Sequence, residues 1–292
     1  MQGAIAYRTK EKIAFALFDR RKVYDTDKAL SIAFDLAPSN ISQLRNGRYE
    51  FLSDGKWITL ARMLEVNIRD EKPWKTVETE TYKYIYKQLQ ACQKMSMSAI
   101  LVDYCGIGKT YTAKQYARNN YYVAYIDCSQ VKTKRKLIQE IAHKFGINTG
   151  AKYDAMYGDL IYYINSLQNP LIIIDEAGDL EYGAFLELKA LWNACDKTCG
   201  WYIMGADGLK SLMERNRNNQ KVGYAEIFDR FGNKYQKVSP NGGQELQEFR
   251  DRQAAQIVAA NKPDADVNEI VAKTQGSLRR IFIELQKQSI AV

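Results

Sequence analysis

An apolar run, Ala99 to Val102, leads directly into Asp103-Tyr104-Cys105-Gly106-Ile107-Gly108-Lys109-Thr110. This layout has the form of a phosphate-binding loop between a strand and a helix, the helix being expected over Tyr111–Arg118. Gly106 and Gly108 allow the tight turn that makes successive N–H groups converge on an anion. The helix that follows adds its positive end. Residues Gly106, Ile107, Gly108, Lys109, Thr110 and Tyr111 are therefore the candidate nucleotide contacts. Lys109 would neutralise the β- and γ-phosphates of ATP, and the Thr110 hydroxyl would ligate Mg²⁺. Asp103 stands where the pattern has its first glycine. That position closes the loop, so the change reads as tolerated, with added negative charge nearby.

A second segment, Leu171-Ile172-Ile173-Ile174-Asp175-Glu176, is a short β-branched run ending in two carboxylates. It reads as a strand buried on both faces of a parallel sheet, and ligands bind at the carboxyl ends of such strands. Asp175 suits a Mg²⁺ partner, and Glu176 suits the base that polarises an attacking water. Capping of the next helix is the bland alternative for the two acids. Their spacing from the first motif favours an ATPase core.

At 292 residues the chain has room for two or three domains. Nothing resembles a signal peptide, and no apolar run approaches membrane-spanning length, so a cytoplasmic protein without a membrane partner is expected. The five cysteines and the single histidine, His143, show no zinc pattern and read as structural in a reducing compartment. The net charge of +8 lies before residue 241 and leaves an anionic partner and mere solubility both open.

Within residues 27–66 the core positions Leu30, Phe34, Leu36, Ile41 and Leu44 resemble a λ-repressor-type helix-turn-helix. The first helix is expected over Asp27–Phe34, the turn over Asp35–Ala37 and the second helix over Pro38–Arg45. Pro38 suits a first turn, and Asn46-Gly47 a stop. The resemblance implies that Ser39, Asn40 and Gln43 face base edges while Arg45 and Arg48 approach phosphates of double-stranded DNA. A small protein-docking module would share the pattern. Lys132, Lys134, Arg135 and Lys136 open a later helix, where cations oppose the macrodipole and an anionic partner would offset that cost. A solvated charged face is the alternative.

The remaining landmarks resemble those of AAA+ ATPases. Trp201–Gly205 reads as a buried strand with Ala206-Asp207 at its tip, the place of that family's first sensor; Asp207 is the nearest polar group where related chains carry asparagine. Arg230, in Ile227-Phe228-Asp229-Arg230, resembles an arginine finger acting on a neighbouring subunit. Arg279, in Gly276-Ser277-Leu278-Arg279, resembles a second sensor. With Val77–Thr81, Ile174–Ala177 and Ile203–Gly205, residues 70–290 are similar to the target-selector ATPases of Mu-type transposition.

This resemblance implies a multi-domain chain. Residues 1–70 form an all-α helix-turn-helix domain, 71–240 an α/β P-loop core with a parallel sheet, and 241–292 a small helical lid. It also implies an ATPase that assembles on DNA as a homo-oligomer or helical filament and presents that DNA to a DDE transposase. A helicase loader or replication initiator shares every ATPase motif. A DNA-binding regulator that senses ATP with little turnover, blunted by Asp103 and Ala206, is the third reading.

Overall fold

A computed structural model describes residues 5–24, 26–64, 66, 68 and 74–290; the expected boundary at residues 70–71 lies outside them. Its centre is a parallel sheet built from β1 (Ser98–Val102), β2 (Val123–Asp127), β3 (Leu171–Asp175), β4 (Gly200–Gly205) and β5 (Tyr235–Gln236). The spatial order is β2-β3-β4-β1-β5. Alternate residues of each strand feed two separate cores. Ile100, Ile126, Ile172, Ile174 and Ile203 pack on one face, and Leu101, Val123, Ile173, Tyr202 and Met204 on the other. Both faces are apolar, so both need helical cover, and that is why these strands read as continuous hydrophobic runs.

The cover comes from helices whose apolar residues recur at helical spacing. On one face lie α5 (Glu80–Met95) and α6 (Lys109–Asn119), through Ile85, Leu89, Ala113 and Tyr116. On the other lie α7 (Lys134–Lys144), α8 (Tyr153–Ser166) and α9 (Tyr182–Ala194), through Leu137, Ile141, Leu160, Phe185 and Leu188. Two further helices, α10 (Asp207–Asn218) and α11 (Tyr224–Arg230), lead from β4 to β5. Pairing of Asp127 with Asp175 and of Val102 with Gly205 brings the carboxyl ends of the four main strands into one row. A site can form there.

The amino-terminal unit comprises α1 (Tyr7–Arg20), α2 (Asp27–Ala33), α3 (Pro38–Arg45) and α4 (Asp54–Met63) around Ile13, Leu17, Leu30, Ile41, Leu44, Trp57 and Leu60. Asp35 takes the left-handed conformation (φ 49°) in the turn, a role that glycine or aspartate fills with least strain. Asn46 and Gly47 end α3, with Gly47 at φ 71°. The carboxy-terminal unit is a three-helix cap of α12 (Gly243–Asn261), α13 (Val267–Thr274) and α14 (Leu278–Ile290), with Ala254, Val258, Ile270, Ile281 and Leu285 inside and Trp74 packed against them. Gln253 and Asn261 tie that cap to the core: Gln253 accepts from the Thr81 N–H (3.2 Å), and Asn261 exchanges hydrogen bonds with the Lys75 backbone (2.8 and 3.2 Å).

Candidate nucleotide site

Helix α6 begins two residues earlier than the sequence pattern suggests, at Lys109 itself, with Gly108 as its N-cap at φ 104°. Gly106 is also left-handed, at φ 78°. The two glycines therefore make the concave turn, and the first orphan N–H groups of α6 face into it. Lys109 is buried, and its Nζ donates to the carbonyls of Asp103 (2.7 Å) and Tyr104 (2.8 Å). Burial lowers its pKa, while Cys105, Asp103, Glu176 and Asp175 pull it back up. The cation is folded onto its own loop, within a short side-chain swing of the anion it would meet.

Thr110 Oγ1 donates to Asp175 Oδ2 (2.7 Å), which joins the two motifs that the sequence places 65 residues apart. Tyr125 donates to the same oxygen from the neighbouring strand (2.7 Å), and the Glu176 N–H donates to Asp175 Oδ1 (2.9 Å). Burial raises the Asp175 pKa against these three hydrogen bonds. Hard oxygen donors at this spacing fit Mg²⁺, whose other positions go to water and phosphate oxygens. Glu176 sits at the strand tip in the left-handed conformation (φ 49°), a strain of order 1 kcal/mol that aims its side chain into a cleft. Burial, then the neighbouring Asp175, raises its pKa above the usual glutamate value. That shift moves it toward the range useful to a general base.

Asp103 has a structural part that the sequence does not disclose. It is 1% exposed and accepts from the N–H groups of Tyr104 (2.8 Å), Val238 (2.7 Å) and Ser239 (3.0 Å), and from the Ser239 hydroxyl. The carboxylate thus ties the start of the phosphate loop to the chain leaving β5, and no glycine could do this. Asp103→Gly should lower stability by about 2 kcal/mol or more, since three N–H groups and the Ser239 hydroxyl lose their acceptor. Denaturant unfolding measures it; an unchanged midpoint would mean that water replaces the carboxylate.

A cleft of about 540 Å³ beside Glu176 is lined by Gly205, Ala206, Leu209 and Arg215. Ala206 faces it, but Asp207 is exposed at the first position of α10 and does not line it. Arg215, two turns farther along α10, is the cation of this wall. On the other side a smaller cavity lies between Gly106–Ile107 and Ser277–Leu278 of the cap, with Arg250 in its wall. Arg279 is exposed one residue beyond. Sequence spacing gives no signal for Arg250, which reaches the loop from the middle of α12 and lies 5.5 Å from the Tyr104 ring centre. Tyr125 could have been noticed as a polar group two residues from the end of a buried strand.

Arg230 is half-buried over the Trp192 ring (5.0 Å), and its Nη1 is buried without a hydrogen-bond partner among the described residues. The Trp192 indole donates to Ser98 Oγ (2.9 Å) at the first residue of β1. The phosphate loop leaves the last residue of β1, so Arg230 lies near the opposite end of that strand from its own loop.

Of the candidate nucleic-acid contacts, Lys132 pairs with Asp179 (3.3 Å) and Lys134 with Glu187 (2.9 Å), whereas Arg135 and Lys136 are exposed and carry no ion pair among the described residues. In the amino-terminal unit Ser39 and Arg48 are exposed and Gln43 is half-exposed. Asn40 Oδ1 accepts from the Ala37 N–H (2.8 Å), which commits part of that side chain to starting α3. Arg45 pairs with Asp27 (2.9 Å) and lies over Phe18.

A family model described as AAA domain matches residues 96–213, the span from the end of α5 through most of α10. The ATP-dependent target DNA activator B of Escherichia phage Mu is 26% identical over 212 residues, covering 70% of this chain and 66% of the relative. This chain therefore spans just under two thirds of that protein's length. The Mu-like prophage FluMu DNA transposition protein B of Haemophilus influenzae is 24% identical over 207 residues, covering 70% and 69%. Among solved structures, the Aeropyrum pernix ORC1 protein in complex with DNA aligns at a TM-score of 0.47 and 14% identity over 74% of this chain and 66% of that one. No described helix is long and apolar enough to cross a membrane. With its loop, its paired strand-end carboxylates and this sequence match, the chain carries an AAA ATPase domain and is similar to the B proteins of Mu-like phages.

Proposed function

We propose that this protein is an ATP-dependent DNA-binding ATPase of DNA transposition. It assembles on double-stranded target DNA as a homo-oligomer or helical filament and delivers that DNA to a DDE transposase. The observation that carries the reading is the Thr110–Asp175 bond with Glu176 beside it, in a chain similar to target DNA activators. ATP would enter between the phosphate loop and the cap, its β- and γ-phosphates on the loop N–H groups and Lys109. Mg²⁺, held through Thr110 and Asp175, would neutralise charge on those phosphates. Glu176 orients and deprotonates water from the cleft, aided by its raised pKa. Arg215, in the cleft wall, would contribute charge in its own subunit, and Arg230 would do so in a neighbour's.

The DNA grip falls to Arg135 and Lys136 at the start of α7 and to the exposed face of α3, because Lys132, Lys134 and Arg45 are already paired. Changing Arg135 and Lys136 together to Ala should weaken binding of every duplex sequence. It should also reduce the slope of log affinity against log salt by about 0.9 for each phosphate no longer neutralised. The same change at Lys132 and Lys134 should do less. Equal effects of the two pairs in a salt titration would remove this distinction.

Ala206 in the cleft wall supports a second reading, a slow ATP sensor, since position 206 itself offers no polar side chain to check the γ-phosphate. Turnover measured alone, with duplex DNA, and with DNA plus a DDE transposase separates the two. Stimulation at each step is the expected result. ATP binding without stimulated turnover would leave the sensor. Stimulation by a replicative helicase in place of the transposase would identify a loader.

A further inference from the structure

The cavity between the phosphate loop and the cap measures about 150 Å³, smaller than a pocket for a whole drug-sized ligand. It has room for one part of a nucleotide, beside the loop that would hold the phosphates. Ile107 lines it from the loop and Leu278 from the cap, so apolar surface comes from both sides. Leu278 Cδ1 lies 3.7 Å from where a Cβ on Gly108 would stand, so the cap closes directly on the loop. Apolar walls with a few placed polar groups are what a flat ring requires.

One polar side chain in this wall is only half used. Gln253, on α12, lines the cavity yet is 3% exposed. Its Oε1 accepts from the Thr81 N–H at the start of α5 (3.2 Å), which fixes which end of the amide is oxygen. Its Nε2 meets no partner among the described residues, and a buried amide left so is uncommon. What remains free is two N–H donors on Nε2 and one lone pair on Oε1.

That pattern matches one base. Adenine sets an amino donor, N6, beside a ring-nitrogen acceptor, N1 or N7, and glutamine amides pair with such an edge at both atoms. Guanine puts two acceptors, O6 and N7, on one edge. On its other edge the order is reversed, with O6 accepting and N1–H donating. An amide free to turn over would follow the reversal, but Thr81 holds this one in place. The base cannot turn over either, since ribose tethers it to phosphates on the loop. We infer that Gln253 selects adenine: its amide, oriented by Thr81, donates to a ring nitrogen and accepts from N6. This role rests on the nucleotide-site reading and adds the base to it. The same amide ties α12 to α5, so an adenine held there also fastens the cap to the core.

Calorimetric titration of the full chain with ATP, GTP and inorganic tripolyphosphate tests this, with and without Gln253→Glu. The substitution is isosteric and keeps an oxygen for the Thr81 N–H, but it replaces both N–H donors with a second acceptor. ATP should weaken about tenfold relative to tripolyphosphate, which has no base. The preference for ATP over GTP should shrink by a similar factor. A preference unchanged by Gln253→Glu overturns the inference. So does an equal loss of ATP and tripolyphosphate, which would leave Gln253 as a tie between helices only. Failure of the nucleotide site itself looks different: Lys109→Ala would then leave ATP and tripolyphosphate binding unaltered, and Gln253 would have no base to select. Should Gln253→Glu not fold, as its melting temperature would show, the parent chain decides alone. Purine riboside triphosphate, which lacks the N6 amino group, should bind it about tenfold more weakly than ATP. Equal affinity for the two overturns the inference.

Discussion

Lys109→Ala is expected to weaken ATP binding by about a hundredfold or more. Nζ is a cation buried in the loop, and its two present acceptors are backbone carbonyls of the same loop. Each charge-assisted hydrogen bond in a desolvated site is worth about 1.5–3 kcal/mol, and a lysine serving both β- and γ-phosphates supplies two. ATP-dependent DNA binding should fall with it, because the proposed assembly needs bound nucleotide. The substitution has a second consequence. Asp103 and Tyr104 are deprived of the donor to their carbonyls, so the empty loop should loosen even without nucleotide. Hydrogen exchange over residues 103–108 would report that change, while a fluorescent ATP analogue reports affinity. An affinity within threefold of the parent chain would place the phosphates elsewhere.

What the sequence disclosed follows from how far apart the interacting groups lie. Strand β3 is legible because burial on both faces demands an unbroken apolar run, and such runs are local. Helix α3 begins and ends where Pro38 and Asn46-Gly47 put it, again through local chemistry. The Thr110–Asp175 bond was legible for another reason: two motifs of known chemistry constrain one another through the ligand they would share. Asp103 was opaque. Its partners Val238 and Ser239 follow β5, and only the pairing of β5 with β1 brings them near. Read locally, an acid in a glycine's place looks like a tolerated defect, whereas in the fold it is a tie. Arg250 was opaque in the same way, since helix faces are chosen by packing between units. Asp207 and Arg279 were assigned from motif position alone; both side chains are exposed, as are those of Thr110 and Glu176.

Arg230→Ala should leave ATP binding by the isolated subunit nearly unchanged and abolish DNA-stimulated turnover. The geometry argues for a role outside its own subunit. Arg230 lies over Trp192, which is fastened to Ser98 at the start of β1, and the phosphate loop leaves the other end of that strand. Five residues of strand separate the two ends by about 13 Å before the loop itself is crossed. A guanidinium held by a ring, with Nη1 buried, is incompletely satisfied among the described residues. A neighbour's γ-phosphate would complete it, and arginine fingers supplied in this way are worth about 10³–10⁵ in rate. Mixing Arg230→Ala with Glu176→Gln, each inactive alone, is therefore expected to restore part of the turnover. Some interfaces then pair an intact finger with an intact base, whereas no single subunit of the mixture holds both. Co-assembly on DNA must be shown in parallel, by sedimentation of the mixed protein with duplex. If the two variants co-sediment and the mixture stays inactive, Arg230 does not act across the interface. Its cation–π interaction with Trp192 would then be structural, and the catalytic charge would have to come from Arg215, which already lines the cleft beside Glu176.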